Sequence, residues 1–269
     1  MMPKIKVGQL ELAYEIHGDG YPLLLICGVG YSSWFWHKIV PGLAESYQVI
    51  VFDNRGAGDS DKPDGPYSVE MMADDTIGLL EVLGIQQAYI LGHSLGGFIA
   101  QEMVYKRPDL VSKLILASTN YGGMKVIPIT PEALEVLINR EGDPHEIVRR
   151  GIEIACAPGF AERNAGVSQE LIAYRFTNPV PPLQYQAQVA AGAGMALLTD
   201  DQIAQRTAAI QVPTLILFGE HDRVVPPGNA DLLAEKIVNS MIKILPNTGH
   251  IFAIENPSAT VKTIQQFLR

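Results

Sequence analysis

The residues best equipped for covalent chemistry are Gly92-His93-Ser94-Leu95-Gly96-Gly97, a G-x-S-x-G arrangement that sets one hydroxyl between small neighbours. This segment follows the apolar run 88–91 and precedes a helical stretch at 98–105. In a strand-turn-helix setting of that kind the serine is held in a strained backbone conformation and its hydroxyl is pushed out above the sheet. Gly92 and Gly96 leave room for the reversal. The N–H groups opening the following helix point to the same spot, where they would stabilise negative charge developing on a substrate oxygen. The chemistry implied is nucleophilic attack by Ser94.

A serine hydroxyl is a poor nucleophile at neutral pH and needs a base, which in turn needs an orienting group. Of the six histidines, His17 lies in an N-terminal hairpin and His37 and His145 fall away from strand ends. His93 and His221 adjoin candidate catalytic residues and are expected to point elsewhere. His250 follows the run 242–245 across Pro246-Asn247-Thr248-Gly249, which puts it beyond the carboxyl end of a last strand, the edge that also carries Ser94. Gly219-Glu220-His221-Asp222 follows the run 214–218 at the same edge. Asp222 is placed to reach the second nitrogen of His250, with Glu220 as the rival carboxylate. After the run 114–117 stand Ser118, Thr119 and Asn120, with no carboxylate close by, which strengthens Asp222. The chain order Ser94, Asp222, His250 separates this arrangement from unrelated folds that use the same three groups.

These residues need a scaffold, and the apolar pattern supplies one. Residues 5–16 alternate polar and apolar around Gly8-Gln9, as an opening β-hairpin does. Continuous apolar runs at 23–26, 49–52, 88–91 and 114–117 suit strands buried on both faces, and the pattern resumes at 214–218 and, interrupted by Lys243, at 242–245. Helical stretches at 71–83, 98–105 and 257–268 punctuate them, the first ending at Gly84 and the second stopped by Pro108. Such alternation predicts an α/β fold with a mostly parallel sheet and helices on both faces. The interval 121–210 breaks the alternation. It holds helix-like segments at 131–139 and 145–155 and turn-rich breaks at Asn178-Pro179 and Pro181-Pro182, and reads as a helical insertion. Residues 176–198 contain no Asp, Glu, Lys or Arg, so this part faces apolar surface, either the core or a substrate pocket. The expected organisation is a core domain of residues 1–120 and 211–269 with an inserted helical cap at 121–210.

Composition narrows the classes of function. With 47% hydrophobic and 18% charged residues in 269, below the roughly 25% charged that is usual, little sequence is left for solvated tails. A net charge of −9 with no basic cluster argues against nucleic acid or an anionic membrane surface as partner. Two cysteines, Cys27 and Cys156, exclude a disulfide scaffold and a Cys-rich zinc site and fit a reducing compartment. The N-terminus lacks an apolar signal core and no apolar run reaches about 20 residues, so the expectation is a soluble, cytoplasmic protein.

On these motifs the chain resembles the α/β-hydrolase superfamily, from about Leu10 to Phe267 apart from the insertion. Asp53-Asn54-Arg55-Gly56-Ala57-Gly58-Asp59-Ser60 looks like its D-x-R-G-x-G-x-S loop, and Gly92 to Gly97 looks like the G-H-S-[LM]-G-G elbow of its esterases and lactonases. The resemblance implies that the insertion caps the pocket and that Asp53 and Arg55 tie loops together without a catalytic role. Relatives usually carry His-Gly after the third strand, where this chain has Cys27-Gly28-Val29-Gly30. By resemblance the residue after that first glycine lends its backbone N–H to the oxyanion hole, so Val29 would partner Leu95. Cys27 reads as a small packing residue. The resemblance implies a serine hydrolase of small-molecule esters or lactones working without metal or organic cofactor. Haloalkane dehalogenases and epoxide hydrolases of this fold carry Asp where Ser94 stands. Enol-lactonases, carbon-carbon bond hydrolases of ring-cleavage products, cofactor-free perhydrolases and ligand receptors that keep the fold remain alternatives. Arg175, beside the uncharged stretch, is either a cation for a dianionic substrate or a surface arginine.

Overall fold

The computed structural model describes residues 2–269. Eight strands, β1 (Lys4–Val7), β2 (Leu10–His17), β3 (Tyr21–Ile26), β4 (Tyr47–Phe52), β5 (Ala88–His93), β6 (Val111–Ala117), β7 (Thr214–Gly219) and β8 (Ser240–Leu245), form one sheet in the order β1-β2-β4-β3-β5-β6-β7-β8. β1 pairs antiparallel with β2 and β2 with β4; from β4 to β8 every pairing is parallel. The predicted hairpin is present, with the two-residue turn Gly8-Gln9 and Gly8 at φ +57°. Each apolar run of the sequence lies inside a strand.

The helices are α1 (Val40–Ala44), α2 (Val69–Val82), α3 (Leu95–Lys106), α4 (Pro131–Ile138), α5 (Pro144–Ala155), α6 (Phe160–Arg163), α7 (Ala165–Thr177), α8 (Pro182–Gly194), α9 (Asp200–Ala208), α10 (Asn229–Lys236), α11 (Phe252–Glu255) and α12 (Pro257–Leu268). The period-2 pleat divides the strand residues between two cores. Leu24, Ile26, Ile90, Leu116 and Ile216 pack with α2, α3 and α10 on one face. Leu23, Leu25, Leu91, Ile115 and Leu217 pack with α1, α11 and α12 on the other. Both faces are therefore apolar in β3 to β7, which is why those runs are continuous, whereas β8 at the sheet edge leaves Met241, Ile242 and Lys243 exposed. α4 to α9 all lie between β6 and β7.

The strand order fixes where a ligand fits. From β3 the chain moves one way to β4 and then crosses back to β5 on the other side, so the connections leaving β3 and β5 diverge. A crevice opens at that switch point, outside the carboxyl ends of the strands. Val29 follows β3 and Ser94 follows β5.

Candidate active site

Ser94 sits between β5 and α3 at φ 56°, ψ −119°, a conformation that costs a non-glycine residue about 1–3 kcal/mol. The surroundings enforce it. Ser94 N–H donates to the Ala117 carbonyl at the end of β6, and Gly97 N–H donates to the Ser94 carbonyl, both at 2.9 Å. A Cβ at Gly92 would overlap the Gly96 carbonyl, and one at Gly96 the Ile26 carbonyl at the end of β3. Only glycines let the strand, the turn and β3 approach this closely.

His250 lies beyond β8 after a turn in which Asn247 has φ 55°. Its Nδ1 is 2.8 Å from Asp222 Oδ2, and a carboxylate there makes Nδ1 the donor and leaves Nε2 as the acceptor. The other oxygen of Asp222 accepts from Val224 N–H at 2.9 Å and Val225 N–H at 2.8 Å, so the carboxylate is held on both sides in a buried position. Ser94 and His250 line one cavity, about 600 Å³ in volume, together with Gly28 and Val29. A Cβ on Gly28 would stand 2.9 Å from Ser94 Cβ, so the loop after β3 lies directly against the serine. Leu95 N–H, at the first turn of α3, has no acceptor within the helix.

The rival carboxylate has a different partner. Glu220 accepts from Asn247 N–H at 2.9 Å and braces the turn before His250. His221 lies 3.7 Å from Glu220 and is half-exposed. His93, expected to point elsewhere, instead supports His250: its Nε2 donates to the His250 carbonyl at 2.8 Å, and the two rings are 4.6 Å apart. Burial and then the neighbouring His250 hold its basicity well below the ordinary histidine range.

Asp53 receives Ser33 N–H and Asp59 N–H at 2.7 Å each, and Arg55 is bidentate to Asp75 at 2.5 and 2.7 Å. Asp53 thus ties loops together, as the motif implied, while Arg55 ties its loop to α2. Cys27 is buried, donates to the Ser32 carbonyl at 3.1 Å, burial pushes its thiol up, and it packs in the core. Arg175 is no free surface arginine. It lines the cavity, its guanidinium lies 3.8 Å from the Tyr31 ring centre, and it donates to the Gly30 carbonyl. Arg140 joins it over the Tyr185 ring.

The charge-free stretch 176–198 serves both of its expected surfaces. Phe176, Val180 and Tyr185 line the cavity, while Gln184, Ala187 and Ala191 of α8 are buried against the rest of the chain. Three supporting residues carried no sequence signal: His93, Glu255, whose carboxylate accepts from Ala157 N–H and Gly249 N–H at 2.8 Å each, and Gln188, which reaches the loop after β3. A second hollow of about 890 Å³, bounded by His17, His37 and Asp59, contains none of the candidate catalytic residues. Among the described residues no three His, Cys, Asp or Glu side chains converge as metal ligands would, and no helix is long and apolar enough to cross a membrane.

The geometry matches known proteins along nearly the whole chain. A carbamate hydrolase by name, RutD of Azorhizobium caulinodans, is 31% identical over 258 residues, 95% of this chain and 94% of its own. The 2-hydroxymuconate semialdehyde hydrolase of a Pseudomonas species is 30% identical over 93% of this chain and 88% of its own. Among solved structures, a thermophilic esterase from Thermogutta terrifontis, determined with malate bound, superposes with a TM-score of 0.81 at 30% identity over 100% of this chain and 98% of its own. A family model of the alpha/beta hydrolase fold matches residues 21–257, and the chain belongs to that family.

Proposed function

We propose that the protein is a serine hydrolase of carboxylic esters of small to medium size, acting through an acyl-enzyme on Ser94. The observation that carries this reading is the Asp222–His250 pair, which leaves an unprotonated Nε2 in the cavity that also holds the strained Ser94. His250 takes the Ser94 proton as Oγ bonds to the carbonyl carbon. The N–H groups of Val29 and Leu95 hold the resulting oxyanion. Collapse breaks the bond to the leaving oxygen, which receives the proton from His250 as an alcohol, and the acyl group stays on Ser94. Water, losing a proton to His250, then attacks the acyl carbonyl; the acid departs and the proton returns to Ser94. Asp222 keeps Nδ1 protonated throughout and stabilises the imidazolium. The cavity volume suits a small molecule, and α4, α5, α7 and α8, which line it, act as the cap that selects the substrate.

A hydrolysis screen over p-nitrophenyl esters of increasing acyl length and over lactones tests the reading. Repeated turnover on at least one series is expected, reduced roughly 10⁴- to 10⁶-fold by Ser94→Ala. Single turnover on every ester and lactone would favour a receptor that keeps the fold.

One observation favours a second reading within the same class. Among the described residues no Asp or Glu lines the cavity, whereas Arg175 and Arg140 both do. That balance suits a lactone or ring-cleavage product bearing a carboxylate, the latter in keeping with the relative named a 2-hydroxymuconate semialdehyde hydrolase.

A further inference from the structure

The loop after β3, residues 27–32, is spanned by one internal side-chain bond, from Cys27 to the Ser32 carbonyl at 3.1 Å, and at its centre Gly28, Val29 and Gly30 offer no polar side chain. The core secures its ends. Asn54 Nδ2 donates to the Cys27 carbonyl at 3.1 Å, and Asp53 accepts from Ser33 N–H at 2.7 Å. The centre is held from the inserted helices. Gly30 N–H donates to Gln188 Oε1 on α8 at 2.9 Å, the Gly30 carbonyl accepts from Arg175 on α7, and Ser32 N–H donates to the Tyr174 hydroxyl at 3.1 Å.

Gln188 occupies a special place in this arrangement because it is 1% exposed and both ends of its amide are used. Nε2 donates to the Arg55 carbonyl at 2.9 Å. A carbonyl accepts only, so it fixes which end of the amide is NH₂ and aims Oε1 at Gly30 N–H. Gly30 has φ +71°, and its N–H belongs to the peptide group immediately after Val29. Anchoring that group restrains the backbone of Val29, which lines the cavity together with Ser94.

We propose that Gln188 is a positioning residue for the oxyanion hole: through Gly30 it holds the Val29 N–H donor in register with Ser94, so that the inserted helices complete the transition-state site and do more than bound the pocket. The inference rests on the acyl-enzyme reading above. It also accounts for how a loop with Cys27 at its start keeps its donor aligned, since the alignment is imposed from α8.

Gln188→Met keeps side-chain length and loses both hydrogen bonds; Gln188→Glu keeps an acceptor for Gly30 N–H. Gln184→Leu is the control, one turn earlier on α8, buried, and bonded through Nε2 to the Lys62 and Pro63 carbonyls at 3.3 and 3.4 Å, away from the loop. Active sites are counted by fluorophosphonate labelling, so that unfolded protein does not enter kcat. On a p-nitrophenyl ester, Gln188→Met is expected to lower kcat about 10- to 100-fold with KM changed less than about threefold. Affinity for an alkylboronic acid, which forms a tetrahedral adduct on the serine, should fall by the same factor as kcat/KM. Gln188→Glu should recover at least part of kcat, and Gln184→Leu should stay within about twofold of the wild type. A kcat for Gln188→Met equal to that of Gln184→Leu, or no recovery by Gln188→Glu, overturns the inference while leaving a Ser94-dependent wild type intact. Wild-type labelling that persists in Ser94→Ala removes the parent reading and this inference with it.

Discussion

A histidine acts as a base only through a nitrogen that carries no proton, and in this site the choice of nitrogen is made by one carboxylate. Asp222 Oδ2 accepts a hydrogen bond from His250 Nδ1–H while Oδ1 is tied to Val224 and Val225 N–H. Asp222→Asn preserves the second pair of bonds through its amide oxygen but presents NH₂ to Nδ1, which selects the tautomer protonated on Nε2. Expected is a kcat lower by about 10³- to 10⁴-fold with little change in melting temperature, read by steady-state kinetics and thermal unfolding; a loss below tenfold contradicts the role. The three residues proposed as catalytic were legible because each follows an apolar run and so falls at one edge of a sheet. Their supports were not. Nothing local to Gln188, in the middle of a charge-free stretch, marks it as the partner of Gly30, 158 positions away, and His93 reveals its contact with the His250 carbonyl only once β5 and β8 are brought into one sheet.

At the level of elements, legibility followed the strength of burial. Strands buried on both faces announce themselves as continuous apolar runs, and α12 coincides with its predicted span of 257–268. α2 begins at Val69, two residues before the predicted start, because Ser68 caps it by accepting from Met71 N–H. α7 and α8 were harder to see. Asn164 makes no side-chain cap for α7, whose buried positions include the polar Ser168, and Pro181-Pro182 reads as a break although Pro182 is the first residue of α8. One contact between elements makes a pH prediction. Glu255, at the end of α11, joins the turn before His250 to the residue after Cys156 through Gly249 and Ala157 N–H. Burial, against the pull of those two donors, pushes its carboxyl up to about 7. A carboxyl with a raised folded-state pKa binds a proton in the native state that the unfolded chain has already released, so its contribution to stability is present at low pH and is lost as pH rises through about 7. Urea unfolding across pH ~5 to ~8 should show wild-type stability falling relative to Glu255→Gln as pH rises; a difference independent of pH refutes this assignment. In the sheet itself, Ile216 is fully buried, and Ile216→Ala should cost about 2–5 kcal/mol in the same measurement.

For the molecule as a whole, the net charge of −9 contrasts with a cavity lined by Arg140 and Arg175 and, among the described residues, by no carboxylate. The acidic residues lie elsewhere, and the pocket has the sign opposite to that of the chain that surrounds it. An anionic substrate would gain locally what it loses at a distance. Arg140 is exposed and free of any part in the loop after β3, so Arg140→Ala separates these effects. Its KM for an ester bearing a carboxylate on the acyl chain should rise about threefold or more, with that for the uncharged ester of equal length unchanged; equal changes for both would assign Arg140 to packing on Tyr185 alone.

The account turns on Ser94 as the nucleophile activated by His250. Its most direct test is labelling with a fluorophosphonate followed by mapping of the adduct: a single modified peptide containing Ser94 is expected in the wild type, absent in Ser94→Ala and formed far more slowly in His250→Ala. Equal labelling of the wild type and Ser94→Ala would contradict it.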